Sequence, residues 1–123
     1  MNPPAKGDSA MESIKSTQNL MGDPEYRSGY ANAFMNAFIA AQIKTIREQR
    51  DLTQAELADL VGTKQAEISC LENVNYDAWE VATLVRIAKA FDVWLKITFE
   101  EFDTLPGEIK KFKRKNLERG RKR

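Results

Sequence analysis

The residue types that carry out most protein chemistry are scarce in this chain. Its 123 residues include no histidine and one cysteine, Cys70, so an internal disulfide, the usual zinc sites and histidine-based catalytic triads are excluded. Asp and Glu are plentiful, but they lie in the i, i+4 charge patterns of solvated helix surfaces, and the sequence has no glycine-rich phosphate loop or nucleophile elbow. We therefore expect no enzyme, no cofactor, no metal and no small-molecule ligand.

Positive charge is concentrated at the C-terminal end. Residues 1–105 hold 10 Lys and Arg against 16 Asp and Glu, a net charge of −6, whereas residues 106–123 hold 9 against 2, a net charge of +7. A basic segment of this kind attracts polyanions, either nucleic acid or a membrane surface. The longest apolar run, Ala37–Ala41, is far shorter than the roughly 18 residues of a membrane span, and no signal-peptide pattern occurs. We expect a cytoplasmic protein that does not enter a membrane.

Length and composition favour one small domain with flexible ends. The predicted organisation is a flexible arm over 1–22, a folded domain over 23–103 and a basic C-terminal tail over 104–123. Asp23-Pro24-Glu25 is typical of a helix start, because Asp caps free amides and Pro fits the first turn. The helix is predicted to continue towards Arg50, with 23–42 as an N-terminal extension.

Aromatic residues recur every four positions along that extension, and they are Tyr26, Tyr30, Phe34 and Phe38. This spacing places them on one face of a helix. The face is predicted either to pack into the core or to form a surface on which another protein docks.

The segment Leu52–Leu57 contains the strongest local signals. Thr53 and Glu56 fit a capping box, which two leucines enclose as a hydrophobic staple. A short helix is therefore predicted to begin at Gln54 and to end at Gly62, because glycine readily adopts left-handed backbone. A second short helix is predicted over 64–72, directly after this tight turn.

Beyond a polar, irregular stretch, the apolar spacing over 81–91 predicts a further helix. The pattern then changes to strict alternation over 93–100, which predicts a single β-strand. Its residues are Val93, Leu95, Ile97 and Phe99 on one face and Trp94, Lys96, Thr98 and Glu100 on the other. Because one strand cannot satisfy its own backbone groups, we predict that it pairs with a second copy across a dimer axis. Pro106 and Glu108 are predicted to open a last helix that carries Ile109 and Phe112.

From Ile43 to Val93 the chain resembles the Cro/C1-type helix-turn-helix regulators, also called the Xre family, and in its core the lambdoid phage repressors. The matching residues, in the family's order and spacing, are Ile46-Arg47, Thr53–Ala58, Val61–Gln65, Ile68, Leu71–Asn73, Thr83-Leu84 and Ile87–Phe91. The resemblance implies a mainly α, lambda-repressor-like bundle of four or five helices, here with an extra N-terminal helix and one C-terminal strand. It also implies a DNA-binding transcription factor.

In that family the helix after the glycine turn lies in the major groove, which implies base contacts here from Gln65, Ala66, Glu67, Ser69 and Cys70. Gln65 is the leading candidate, since its amide offers the donor and acceptor needed to read adenine. Glu67 has two open interpretations, because its carboxylate either accepts from a cytosine amino group or turns away from the phosphates. Cys70 is interpreted as a small spacer rather than a redox switch.

The resemblance also implies contacts to the DNA backbone and one structural ion pair. Candidate phosphate contacts are Thr53, Gln54, Lys64, Asn73, Asn75 and Tyr76. Arg47 and Glu72 match a partly buried salt bridge of the lambdoid repressors.

Three functions remain open at this point. The leading one is a homodimeric repressor, with repression of its own gene left open, since the two recognition helices of a dimer reach successive major grooves. The second is an antitoxin that represses its own operon and binds a toxin through residues 1–38. The third is a protein-interaction or nonspecific DNA-coating module that depends on the basic tail.

Overall fold

The computed structural model describes residues 22–120. All but the last residue of the predicted arm (1–22), and the last three residues of the tail, lie outside this range. The helices are α1 (Pro24–Gln49), α2 (Gln54–Val61), α3 (Gln65–Leu71), α4 (Val81–Phe91), α5 (Leu105–Lys110) and α6 (Arg114–Leu117), with a 3₁₀ helix at Phe102–Thr104. The mainly helical architecture is therefore confirmed, and the predicted extension and the first helix of the bundle are one continuous helix.

Helix α1 begins as the sequence predicts. The Asp23 carboxylate accepts a hydrogen bond from the amide of Glu25 at 3.0 Å, which satisfies a donor that the first turn cannot pair. Within this first stretch, the rings of Tyr26 and Tyr30 lie 6.1 Å apart. Further along the helix, Phe34 and Phe38 stack at 5.6 Å.

Helices α2 and α3 lie on either side of the predicted glycine turn. The hydroxyl of Thr53 accepts from the amide of Glu56 at 3.1 Å, and the carboxylate of Glu56 accepts from the amide of Thr53 at 2.8 Å, so the capping box is present. Gly62 ends α2 with φ of 86°, in the left-handed region that a side chain would strain. Helix α3 then starts within three residues, which fixes its direction relative to α2.

One apolar core joins α1, α2, α3 and α4. The buried residues that form it are Ile43, Ile46, Leu57, Ala58, Val61, Ile68, Leu71, Leu84, Ile87 and Phe91. Leu57 and Ile68 are fully enclosed. Because α3 is only seven residues long, its position depends on this packing rather than on its own helix propensity.

The prediction of a β-strand over 93–100 is not supported. Residues 93–100 form no helix, turn or ladder, and no strand occurs anywhere in residues 22–120. The physical reason is that a strand requires a second backbone, and no segment of the described chain supplies one. Val93 and Leu95 pack against the core, whereas Trp94, Ile97 and Phe99 are 78%, 61% and 102% exposed.

The C-terminal region folds in short pieces instead of one helix. The helix predicted from Pro106 ends at Lys110, and a separate turn, α6, follows it. Phe112, between the two, packs edge-on against Phe34 and Phe38 with ring centres 5.5 and 6.0 Å apart. Leu117 of α6 is buried. Across residues 22–120, every helix is too short or too polar to cross a lipid bilayer.

Candidate nucleic-acid interface

Helix α3 has two distinct faces. Ile68 and Leu71 are 0% and 2% exposed and hold the helix against the core. The opposite face is open to solvent, and its residues are Gln65, Ala66, Ser69 and Cys70. An exposed polar helix face of this kind, backed by a fixed apolar face, is the geometry that a base-reading helix requires.

Gln65 is held by a chain of side-chain hydrogen bonds that begins in the core. Its amide nitrogen donates to Oε1 of Gln54 at 2.6 Å, and the amide nitrogen of Gln54 donates to Oε1 of Glu72 at 3.1 Å. The Glu72 carboxylate is in turn held by Arg47. The side-chain oxygen of Gln65 is the end of this chain, so one acceptor on α3 has a defined direction before any ligand arrives.

Arg47 and Glu72 form the anchor of that chain. The guanidinium donates to both carboxylate oxygens, at 2.6 and 3.0 Å, and also to the carbonyl of Leu52 at 2.8 Å. The two side chains are only 11% and 4% exposed. Hydrogen bonding to Glu72 raises the pKa of Arg47, so the guanidinium stays charged at any ordinary pH. This bridge joins α1 to the end of α3.

Glu67 is directed back towards the turn that precedes α3. One of its carboxylate oxygens accepts from the hydroxyl of Thr63. The negative charge also lies near Tyr76, whose phenol pKa is raised by burial first and by the charge of Glu67 second. The second carboxylate oxygen of Glu67 carries no hydrogen bond within residues 22–120.

The predicted phosphate contacts fall into two groups. Thr53 and Gln54 lie at the start of α2, where the capping box leaves the amides of Gln54 and Ala55 without an intrahelical partner. Exposed Asn73 and Asn75 lie in the turn after α3, where the side chain of Asn73 accepts from the amide of Asn75 at 2.8 Å. Lys64 is exposed at the N-cap of α3 and Tyr76 is half-buried, so donors lie on both sides of the helix.

The sequence did not reveal what fixes the loop that carries Asn73 and Asn75. The indole nitrogen of Trp79 donates to Oδ1 of Asn36 at 2.9 Å, and the Trp79 ring packs edge-on against Tyr76 with centres 4.7 Å apart. Asn36 lies 43 residues away on α1. No periodicity or spacing marks a contact of this range, and only the folded chain reveals it.

The electrostatic character of this region is unusual for a DNA-binding surface. Residues 43–94 contain 6 Lys and Arg against 9 Asp and Glu, a net charge of −3. Phosphate attraction within the region therefore depends on a few positioned donors, and Lys64 is the one cation at the start of α3. The surplus of positive charge lies after residue 105.

One family model matches part of the chain. Residues 43–94 match the family model described as Helix-turn-helix. No curated protein and no solved structure matches the chain. The matched segment runs from the second half of α1 through α2, α3 and α4 to Trp94, so it contains the network that holds Gln65 and excludes Asn36 and the C-terminal helices.

Proposed function

We propose that this protein is a sequence-specific, homodimeric repressor that inserts α3 into the major groove, because residues 43–94 match the Helix-turn-helix family model. The observation that carries the proposal is the exposed face of α3, on which Gln65 is oriented by Gln54. A side-chain amide held in one orientation loses less conformational entropy when it binds a base edge, and this favours discrimination between bases.

Base contacts are assigned to the exposed residues of α3. Gln65 reads adenine through its amide, and Ala66 contributes an apolar contact. Ser69 and Cys70 lie on the same exposed face. The Thr63 bond favours the interpretation in which Glu67 turns away from the phosphates. Thr53, Gln54, Lys64, Asn73, Asn75 and Tyr76 form the candidate backbone contacts.

The dimer seam is assigned to segment 93–100, which forms no helix or turn. In the alternating sequence pattern, Ile97 and Phe99 fall on the same side as Val93 and Leu95. Val93 and Leu95 pack against the core, whereas Ile97 and Phe99 are 61% and 102% exposed. Trp94 adds a further exposed ring. A second copy of the same segment, paired along its backbone, would cover these side chains and would form hydrogen bonds with the backbone N–H and C=O groups of the segment.

The test is a titration of the purified protein against DNA from upstream of its own gene and against a shuffled duplex, with the unmodified protein and Gln65→Ala. We expect the unmodified protein to prefer its own DNA and Gln65→Ala to lose about 1 to 3 kcal/mol of that preference. Asn32→Ala, which shortens an exposed side-chain amide on α1 outside the matched segment, is the control. Equal binding of both duplexes by the unmodified protein would contradict sequence-specific repression.

An antitoxin is the second candidate, and one observation favours it. Residues 24–42 of α1 precede the matched segment, and on this stretch Met35 is 45% exposed. A long exposed methionine on a helix outside the DNA-binding segment suits a protein contact. Copurification of a stoichiometric partner from the native host, lost in Met35→Asp, would favour the antitoxin over an independent repressor.

A further inference from the structure

The C-terminal basic segment contacts α1 both through apolar packing and through hydrogen bonds. Phe112 packs against Phe34 and Phe38, and Leu117 is 4% exposed. The amide of Arg119 donates to Oε1 of Gln49 at 2.8 Å, and the guanidinium of Arg50 donates to the carbonyl of Arg119. Residues 112–119 therefore pack along α1 and the residue that follows it, from Phe34 to Arg50.

The cations of this segment are exposed to solvent. Lys110, Lys113 and Lys115 are exposed, and their side chains form no ion pair or hydrogen bond within residues 22–120. Arg114 pairs with Glu48 at 2.9 Å and is still 53% exposed. Lys111 lies 3.8 Å from Glu108, and the guanidinium of Arg119 donates to the carbonyls of Asn116 and Glu118. We define the exposed cations of this segment other than Arg114 as the basic surface, and they are Lys110, Lys111, Lys113, Lys115 and Arg119.

We propose that this basic surface is a second DNA-binding site of the protein, which contacts the phosphate backbone beside the duplex that α3 reads. The inference rests on the proposed function and extends it. Residues 43–94 carry a net charge of −3, so they attract phosphates weakly and contribute mainly base contacts. The basic surface has no base-reading geometry and contributes phosphate attraction.

The position of the surface suits this role. Its last anchor, Gln49, lies four residues before Thr53, the N-cap of α2 and a candidate phosphate contact. Four residues span at most about 14 Å, which is less than the width of a duplex. A duplex that reaches the start of α2 therefore passes within reach of the long lysine side chains of the C-terminal segment.

The test compares two variants that remove the same charge from different places. Lys113→Gln/Lys115→Gln alters the basic surface, and Arg86→Gln/Lys89→Gln alters the exposed side of α4. None of the four side chains has an ion pair or hydrogen bond within residues 22–120, so both variants are expected to fold, which thermal melting monitored by circular dichroism verifies.

Binding to the chain's own upstream duplex and to its shuffled counterpart is measured across salt concentrations. For Lys113→Gln/Lys115→Gln, we expect the slope of log K against log salt to become shallower by about 1.8 on both duplexes, since each lost phosphate contact removes about 0.9. The preference between the duplexes should stay unchanged. For Arg86→Gln/Lys89→Gln, the slope should equal that of the unmodified protein.

Equal slopes for the two variants would overturn the inference, because the effect would then follow net charge rather than location. Unaltered duplex slopes combined with lost binding to phosphatidylserine vesicles would also overturn it and assign the surface to anionic lipid. The proposed function fails separately, when the unmodified protein itself does not prefer its own duplex.

Discussion

Two neighbouring residues of α1 form ion pairs with two different regions of the molecule, and the two pairs differ in burial. Arg47 binds Glu72 at the end of α3 through side chains that are 11% and 4% exposed. Glu48, the next residue, binds Arg114 of the C-terminal segment through side chains that are 39% and 53% exposed. The first pair is almost fully buried, and the second is open to water.

The difference indicates how each region should respond to stress. Breaking a buried pair leaves a charge without solvent, so α3 should lose its place only when the whole core unfolds. An exposed pair is screened and replaced by water at little cost. The C-terminal segment should therefore open locally while α3 stays in position.

The largest expected effect comes from Arg47→Met. It strands the Glu72 carboxylate, removes the anchor of Gln54, and should lower the free energy of unfolding by about 3 to 5 kcal/mol. Urea unfolding measures this loss. The matched control is Arg114→Met, which removes an arginine from the exposed pair and should leave the main transition almost unchanged. Similar losses in the two variants would contradict the comparison.

Local signals in the sequence predicted the parts of the fold that local physics determines. The capping box of Thr53 and Glu56, the left-handed Gly62 and the apolar spacing of 81–91 each depend on residues within a few positions, and each predicted element formed. The pairing of Arg47 with a residue 25 positions away could be anticipated only because a family resemblance supplied it.

Sequence reasoning failed where the outcome depends on distant partners. Alternation over 93–100 describes a strand only if another backbone pairs with it, and the described chain offers none. The helix predicted through Phe112 breaks after Lys110, and Phe112 instead meets two rings of α1 more than seventy positions earlier. Asn36 and Trp79 are likewise joined by a contact that leaves no trace in either local pattern.

An intermediate effect is expected at the uncharged hydrogen bond that joins α1 to the loop after α3. Asn36→Leu leaves the half-buried indole N–H of Trp79 without its acceptor and should cost about 1 to 3 kcal/mol in urea unfolding. Asn36→Asp retains an acceptor oxygen and should recover most of the loss. The control is Asn32→Leu, the same change at an exposed asparagine of the same helix. An equal loss at Asn32 would show that the hydrogen bond to Trp79 contributes nothing particular.

The smallest expected effect is the pH dependence of the exposed ion pair between Glu48 and Arg114. Hydrogen bonding from Arg114 lowers the pKa of Glu48 in the folded protein, so the pair stabilises the closed C-terminal segment above the ordinary glutamate pKa. This contribution is lost as pH falls through the lowered value, because protonated Glu48 no longer carries the charge that attracts Arg114.

The resonances of the Phe112 ring, which packs on Phe34 and Phe38, report whether the segment is closed. In the unmodified protein we expect them to move towards those of a solvated ring as the pH falls through the lowered pKa of Glu48, while the core resonances stay unchanged. In Glu48→Gln this transition should be absent, since no charge remains to titrate at that position. If Glu48→Gln shows the same transition, another carboxylate controls the segment, and Glu118, which lies 3.5 Å from Arg114, would be the group to replace next.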